Sequence, residues 1–247
     1  MDDACRIVRL LDLTNLEEGA DAEAIERLCA RASTRFCDVA ALCVYPQWVR
    51  RAVIRRPSAL IRVASVANFP HGSADAAGAA RTTAEVFASG ADEVDVVLPW
   101  RAFSDGDVEA ARKVLRACRS VVPYTACMKV ILETGELPSP EAVGAAARLA
   151  LDEGADFLKT STGKTATGAT IEAARILLET IRATGAVAGV KASGGIRTGG
   201  QAKAYLDLAV SIMGEDWISP RTFRFGASSL IDDLLPGPGR AAQVGAY

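Results

Sequence analysis

The chain has 247 residues, half of them hydrophobic, with a formal net charge of −2. So small a charge gives no reason to expect nucleic acid or an anionic membrane as partner. The length suits one α/β barrel, which typically needs about 250 residues. Cys5, Cys29, Cys37, Cys43, Cys118 and Cys127 include no C-x-x-C pair, and His71 is the single histidine, so a zinc site has too few suitably spaced ligands and the thiols are expected to be reduced. The acidic N-terminus lacks an apolar signal core, and no run approaches the roughly 18 apolar residues of a membrane span. A cytoplasmic protein acting on a small molecule is expected.

Along the chain, short apolar runs alternate with longer amphipathic ones. The spacing predicts strands at Ile7–Leu13, Phe36–Cys43, Ile61–Ala67, Glu93–Leu98, Met128–Glu133, Phe157–Thr160, Val187–Ala192 and Phe223–Gly226. Between them it predicts helices at Ala22–Ala32, Gln47–Arg55, Ala74–Ser89, Val108–Val121, Pro140–Glu153, Ile171–Thr184 and Gly200–Met213. Ser139 before Pro140 reads as an N-cap with proline at the first helical position, and Thr198 with Gln201 as a capping box. Gly90, Gly154 and Gly185 stand where a left-handed C-cap wants glycine. The order implies one (β/α)₈ TIM barrel over residues 1–247, with a mobile, breaker-rich tail from about 236. An open doubly wound sheet would also alternate, but it would usually carry a glycine-rich phosphate loop after its first strand, and Asp12-Leu13-Thr14-Asn15 is not one.

Asp12, Asp95, Lys129, Lys159 and Lys191 each interrupt an apolar strand near its C-terminal end. The last four come from consecutive strands, which are neighbours in a barrel and open on its catalytic face. The bland alternative is a structural ion-pair cluster. Three lysines facing two carboxylates, however, balance most easily if one lysine is neutral, and a neutral lysine attacks carbonyls. Residues alone leave Lys159 and Lys191 as equal candidates. Gly163 and Lys164 follow strand six, Gly194 and Gly195 strand seven, and Gly226, Ser228 and Ser229 strand eight. Loops after the last strands of a barrel often hold phosphate through backbone N–H groups, which implies a phosphorylated substrate. His71 reads as a loop residue, leaving acid and base work to Asp and Lys.

These segments resemble a known family, deoxyribose-phosphate aldolase, a class I aldolase. The matching words span nearly the whole chain, from Asp12-Leu13-Thr14 and Asn68-Phe69-Pro70-His71-Gly72 through Glu93-Val94-Asp95 and Phe157-Leu158-Lys159-Thr160-Ser161-Thr162-Gly163-Lys164 to Gly194-Gly195-Ile196-Arg197 and Arg224-Phe225-Gly226-Ala227-Ser228-Ser229. The resemblance implies a carbon–carbon lyase that reversibly cleaves 2-deoxy-D-ribose 5-phosphate into D-glyceraldehyde 3-phosphate and acetaldehyde, without metal or other cofactor. It implies Lys159 as the Schiff-base lysine, Lys191 as the lysine that tunes it and Asp95 as the carboxylate of the proton relay. Asp12, Cys43, Lys129 and Lys164 would surround the substrate, Gly163, Gly194, Gly195, Gly226, Ser228 and Ser229 would hold its phosphate, and Tyr247 would assist proton transfer. A homodimer or larger homo-oligomer is implied as well. Ala192 departs from the proline that many members carry after the second lysine. The alternatives are another Schiff-base aldolase or a transaldolase acting on a phosphorylated sugar, and a barrel that binds a phosphorylated metabolite without turnover. The three strand lysines argue against the last.

Overall fold

The computed structural model describes residues 3–34 and 37–235. Eight parallel strands close into a barrel in chain order, β8 pairing back onto β1. The strands are β1 (Leu11–Asn15), β2 (Ala41–Val44), β3 (Arg62–Ala67), β4 (Glu93–Val97), β5 (Cys127–Ile131), β6 (Phe157–Lys159), β7 (Gly189–Ser193) and β8 (Phe223–Ala227). The helices are α1 (Asp3–Arg9), α2 (Ala22–Arg31), α3 (Val49–Arg55), α4 (Ala76–Ala88), α5 (Trp100–Ser104), α6 (Val108–Val121), α7 (Pro140–Asp152), α8 (Ile171–Thr184), α9 (Gly199–Met213) and α10 (Leu230–Leu234). None of the described helices is long and apolar enough to cross a membrane.

Local chemistry explains the helices. In α6 the Asp107 carboxylate accepts from the Ala110 N–H, and Ala111, Val114, Leu115 and Cys118 bury one face at helical spacing. Ser139 caps α7 and Thr198 with Gln201 forms the capping box of α9, as their residue types predict. Gly90, Gly154 and Gly185 have φ of 96°, 80° and 69°, where a side chain would be strained.

Two predicted strands are corrected. In the run Ile7–Leu13, Ile7 lies in α1, and β1 begins only at Leu11. Ile7 and Val8 are buried and α1 packs against α9 and α10; so short an apolar run fits either period until a partner chooses one. The second strand starts at Ala41 instead of Phe36, which lies outside the described residues. Asp38 is tied back to Ser33 by a 2.6 Å side-chain hydrogen bond and an antiparallel bridge, so the chain turns before β2. The short helices α1, α5 and α10 were not foreseen. The predicted tail from 236 and Tyr247 also lie outside the described residues.

Alternation along each strand sends one set of side chains outward and the other into the barrel. Val94, Val96, Met128, Val130, Leu158 and Val190 belong to the main apolar core with the helices. Inside, β2 and β3 contribute a small apolar cluster of Cys43, Ala64 and Val66, which also takes in Leu16 from beyond β1. The other strands fill the interior with charge. Close packing there demands glycine at Gly189, where a Cβ would come within 2.5 Å of the Phe157 ring and 2.6 Å of the Thr222 carbonyl oxygen. Gly189→Ala is expected to destabilise the barrel by about 1–3 kcal/mol through overpacking. A urea-unfolding midpoint equal to wild type would refute that.

Candidate active site

Register brings the charged residues together. Asp95 pairs with Lys129 across β4 and β5, Lys159 with Lys191 across β6 and β7, and Lys191 with Arg224 across β7 and β8. Asp12 on β1 lies opposite Gly226 on β8. A side chain at Gly226 would meet the Lys191 Cε at 2.9 Å, so the missing Cβ clears a path for that lysine.

The result is a closed circuit of ion pairs. Asp95 Oδ2 accepts from Lys159 Nζ at 2.9 Å and from Lys191 Nζ at 2.8 Å, while its Oδ1 accepts from Lys129 Nζ at 2.9 Å. Lys191 Nζ also meets Asp12 Oδ2 at 2.5 Å, and Arg224 joins Asp12 (2.5 Å) to Glu93 (3.1 Å). Glu93 completes the loop, 2.5 Å from Lys129. Among the described residues, Lys129 and Lys191 thus each sit against at least two carboxylates, whereas Lys159 has Asp95 alone.

That difference separates the two candidate nucleophiles. Burial lowers the pKa of Lys159, Asp95 pulls it up, and the Lys191 ammonium presses it down again, leaving it below the ordinary lysine value. Burial also acts against the charged form of Lys191, but Asp12 and Asp95 outweigh it and raise the pKa. The same holds for Lys129 under Asp95 and Glu93. Burial would raise the Asp95 pKa, yet Lys129, Lys159 and Lys191 together hold it well below the usual carboxylate range. Asp12 is likewise kept ionised against burial by Lys191, Arg224 and Lys129. Burial pushes the Cys43 thiol up, so it remains protonated.

Lys159 also opens outward. At 3% exposed it lines a cavity of about 570 Å³ at the C-terminal mouth, together with Gly163, Lys164, Gly194, Gly195, Gly226, Ser228 and Ser229. Asp12, Cys43, Asp95, Lys129 and Lys191 do not line it; all are fully buried beneath its floor. Asp12, Cys43 and Lys129, which the resemblance sets around the substrate, thus lie below the cavity with Asp95 and Lys191. As placed, Asp12 and Lys129 hold other charged side chains, and Cys43 backs the floor with apolar neighbours.

Loops six and seven are stitched into one cradle. Ser161 Oγ donates to the Ser193 carbonyl at 2.5 Å and Ser193 Oγ to the Ser161 carbonyl at 2.6 Å. Gly163, Gly194 and Gly195 adopt φ of 76°, 92° and 84°. A Cβ at Gly194 would strike Ser161 Oγ at 2.6 Å, whereas one at Gly195 would meet nothing within 4 Å, so Gly195 faces open space. Lys164 is exposed on the rim with no ion-pair partner among the described residues, and Arg197 joins it in the lining; Arg27 and Arg31, also there, are paired with Glu23 and Asp232, and Glu17 adds a carboxylate. The arrangement can hold an anionic group at the rim with a carbonyl over Lys159. His71 is exposed in the loop after β3, where its carbonyl accepts from Arg101 at 2.8 Å. Ala192 lies in the outer core, away from the charged interior.

Two members of the circuit, Glu93 and Arg224, were missed from the sequence. The signal was there: Glu93 precedes Asp95 by two residues and so shares its inward face, and Arg224 has the same relation to Gly226. Glu133 was missed too; it is buried at φ 54° and accepts from the Thr162 N–H at 3.1 Å, steadying loop six. A larger cavity, about 800 Å³, opens at the opposite mouth and is lined by Glu93, Cys127, Phe157 and Arg224 among others. It reaches the underside of the circuit, but Lys159 does not line it, and barrel chemistry belongs to the C-terminal face.

Comparison with known proteins agrees with this geometry. The model of the DeoC/LacD family aldolase matches residues 7–234. A deoxyribose-phosphate aldolase of Agrobacterium fabrum (strain C58 / ATCC 33970) is 45% identical over 233 residues, covering 94% of this chain and 90% of that protein. The crystal structure of a candidate deoxyribose-phosphate aldolase from Coccidioides immitis superposes with a TM-score of 0.81 at 28% identity, covering 93% of this chain and 85% of the other. One from Toxoplasma gondii ME49 gives 0.85 at 25% identity, covering 94% and 93%. With a closed barrel, an under-compensated lysine beneath a glycine-lined cavity, and a family match along nearly its whole described length, this chain belongs to the DeoC/LacD family of aldolases.

Proposed function

We propose that the chain reversibly cleaves 2-deoxy-D-ribose 5-phosphate to D-glyceraldehyde 3-phosphate and acetaldehyde through a Schiff base on Lys159. The observation that carries the reading is that, among the described residues, Lys159 alone of the three buried lysines has a single carboxylate partner and opens on the cavity. Its neutral amine adds to the C1 carbonyl of the open-chain sugar and loses water to give an iminium. The C3 hydroxyl gives up its proton, the C2–C3 electron pair flows into the iminium, and glyceraldehyde 3-phosphate leaves. The enamine is then protonated at C2, and water releases acetaldehyde and the free lysine.

Asp95 and Lys191 are the proton-handling pair. Because Asp95 and Lys191 are both fully buried and neither lines the cavity, their exchange with the substrate runs through a water. Gly163, Lys164, Gly194, Gly195, Gly226, Ser228 and Ser229 take the phosphate, the remote anchor that sets the carbonyl over Lys159. The same reading places the enzyme in the cytoplasm as a homodimer or larger homo-oligomer.

Borohydride reduction in the presence of acetaldehyde, followed by peptide mass mapping, is expected to mark Lys159. An adduct confined to Lys129 or Lys191, with Lys159→Leu still active, would sink the assignment. For the anion site, Gly195→Asp or Ser229→Asp is expected to lower kcat/KM at least tenfold for the phosphorylated sugar by repelling its anchor. Equal kcat/KM for 2-deoxyribose and its 5-phosphate would contradict that role.

The pH dependence follows from the charges. Lys191 holds the Lys159 pKa down, so Lys191→Leu raises it, and protonated Lys159 is inactive. The acidic limb of kcat/KM is therefore expected at higher pH, with partial recovery in alkali. Asp95→Asn is expected to depress the rate without such recovery. An unmoved acidic limb in Lys191→Leu, with activity lower at every pH, would instead make Lys191 only a proton carrier.

A further inference from the structure

The ion-pair circuit extends below the groups that do chemistry. Arg224 and Glu93 are each 5% exposed, line the cavity at the opposite mouth and do not line the cavity that Lys159 faces. Arg224 is fully engaged: its guanidinium donates to Asp12, to Glu93 and to the Pro220 carbonyl. Among the described residues, the charged and titratable groups gathered in this circuit are Asp12 from β1, Cys43 from β2, Glu93 and Asp95 from β4, Cys127 and Lys129 from β5, Lys159 from β6, Lys191 from β7 and Arg224 from β8. β3 offers Ala64 and Val66 and, at the opposite mouth, Arg62, which is paired with Asp92. The thiols are neutral, and within the ion-pair circuit four basic groups stand against three carboxylates; Arg62 is matched by Asp92, and Glu133, fully buried above β5, turns to loop six and makes no ion pair with the circuit's cations.

A water-poor interior does not tolerate an uncompensated charge, so one basic group should give up its proton. Arginine cannot. Lys129 and Lys191 are held by two or more carboxylates each, and Lys159 by one. We propose that Arg224 and Glu93 are positioning residues that act through Asp12 and Lys129 to set the charge balance of the barrel interior, leaving Lys159 as the member without a proton. The inference rests on the reading of Lys159 as nucleophile and extends it to residues that never meet the substrate.

The balance gives the two residues opposite signs. Without the Arg224 charge, three cations and three carboxylates are matched with Lys159 protonated; Asp12 leans harder on Lys191, and Asp95 is freer to hold the Lys159 ammonium. Without the Glu93 charge, Lys129 leans on Asp95 and less negative potential remains for Lys159. A purely structural role would weaken the enzyme in both variants without moving their pH profiles apart.

The test is the kcat/KM profile against pH for Arg224→Gln, Glu93→Gln, the double variant and Arg224→Lys, each with borohydride trapping and peptide mapping. Arg224→Gln is expected to move the acidic limb to higher pH, lowering kcat/KM on that limb about threefold relative to its own plateau. Glu93→Gln is expected to move the limb the other way, the double variant to bring it back, and Arg224→Lys, which keeps the charge, to leave it in place whatever the absolute rate. Limbs that stay put or move together, with the adduct still on Lys159, overturn the proposal alone. An adduct elsewhere in the wild-type enzyme overturns the nucleophile assignment and the proposal with it. Should Arg224→Gln fail to fold, Glu93→Gln and Arg224→Lys still decide the matter.

Discussion

One carboxylate shared by three lysines is the constraint on which the rest of this barrel depends. Asp95 meets Lys129, Lys159 and Lys191 at 2.8–2.9 Å, with no exposure of its own. Two oxygens cannot compensate three ammonium groups in a medium of low dielectric. Asp12 and Glu93 relieve Lys191 and Lys129 but make no ion pair with Lys159. The nucleophile proposed here is thus set apart by an uneven distribution of carboxylates more than by anything peculiar to that lysine.

Such an arrangement is expensive to bury and needs a rigid frame. A closed parallel barrel provides one, because every strand is hydrogen-bonded on both sides and inward positions stack in register. The apolar cluster from β2 and β3 lies on one side of the interior, and the glycines at 189 and 226 make room for the Phe157 ring and the Lys191 stem. Above this floor, the reciprocal hydrogen bonds between Ser161 and Ser193 fix two of the loops that carry glycine to the rim. In the proposed reaction, floor and rim perform separate work: the buried charges set protonation, and the glycine loops set position.

Much of this was legible in the residues. Valine-rich runs such as Glu93–Val97 are too short for helices, and caps such as Ser139 and Thr198 act through local hydrogen bonds that a sequence displays directly. The start of the chain was misread because Ile7, Val8, Leu10 and Leu11 suit a strand as well as a helix, and only packing against α9 and α10 selects the helix. The family resemblance sets Lys129 around the substrate, but its ion pairs could not be read from the sequence. It is pulled inward by Glu93, a residue 36 positions earlier in the chain, and that attraction is invisible until the strands are side by side.

The sequence by itself determined the alternation of strands and helices, the glycines of the cradle and the presence of an amine nucleophile among three lysines, because each rests on residue type and near spacing. Which lysine it is cannot be read from residue type, and the proposal of Lys159 rests, apart from family resemblance, on the tertiary structure alone. Lys159 and Lys191 have similar strand settings, and they differ in how many carboxylates the closed barrel brings within about 3 Å. Charge compensation falls off with distance in space, and only the fold converts separations of up to 212 residues, as between Asp12 and Arg224, into contact.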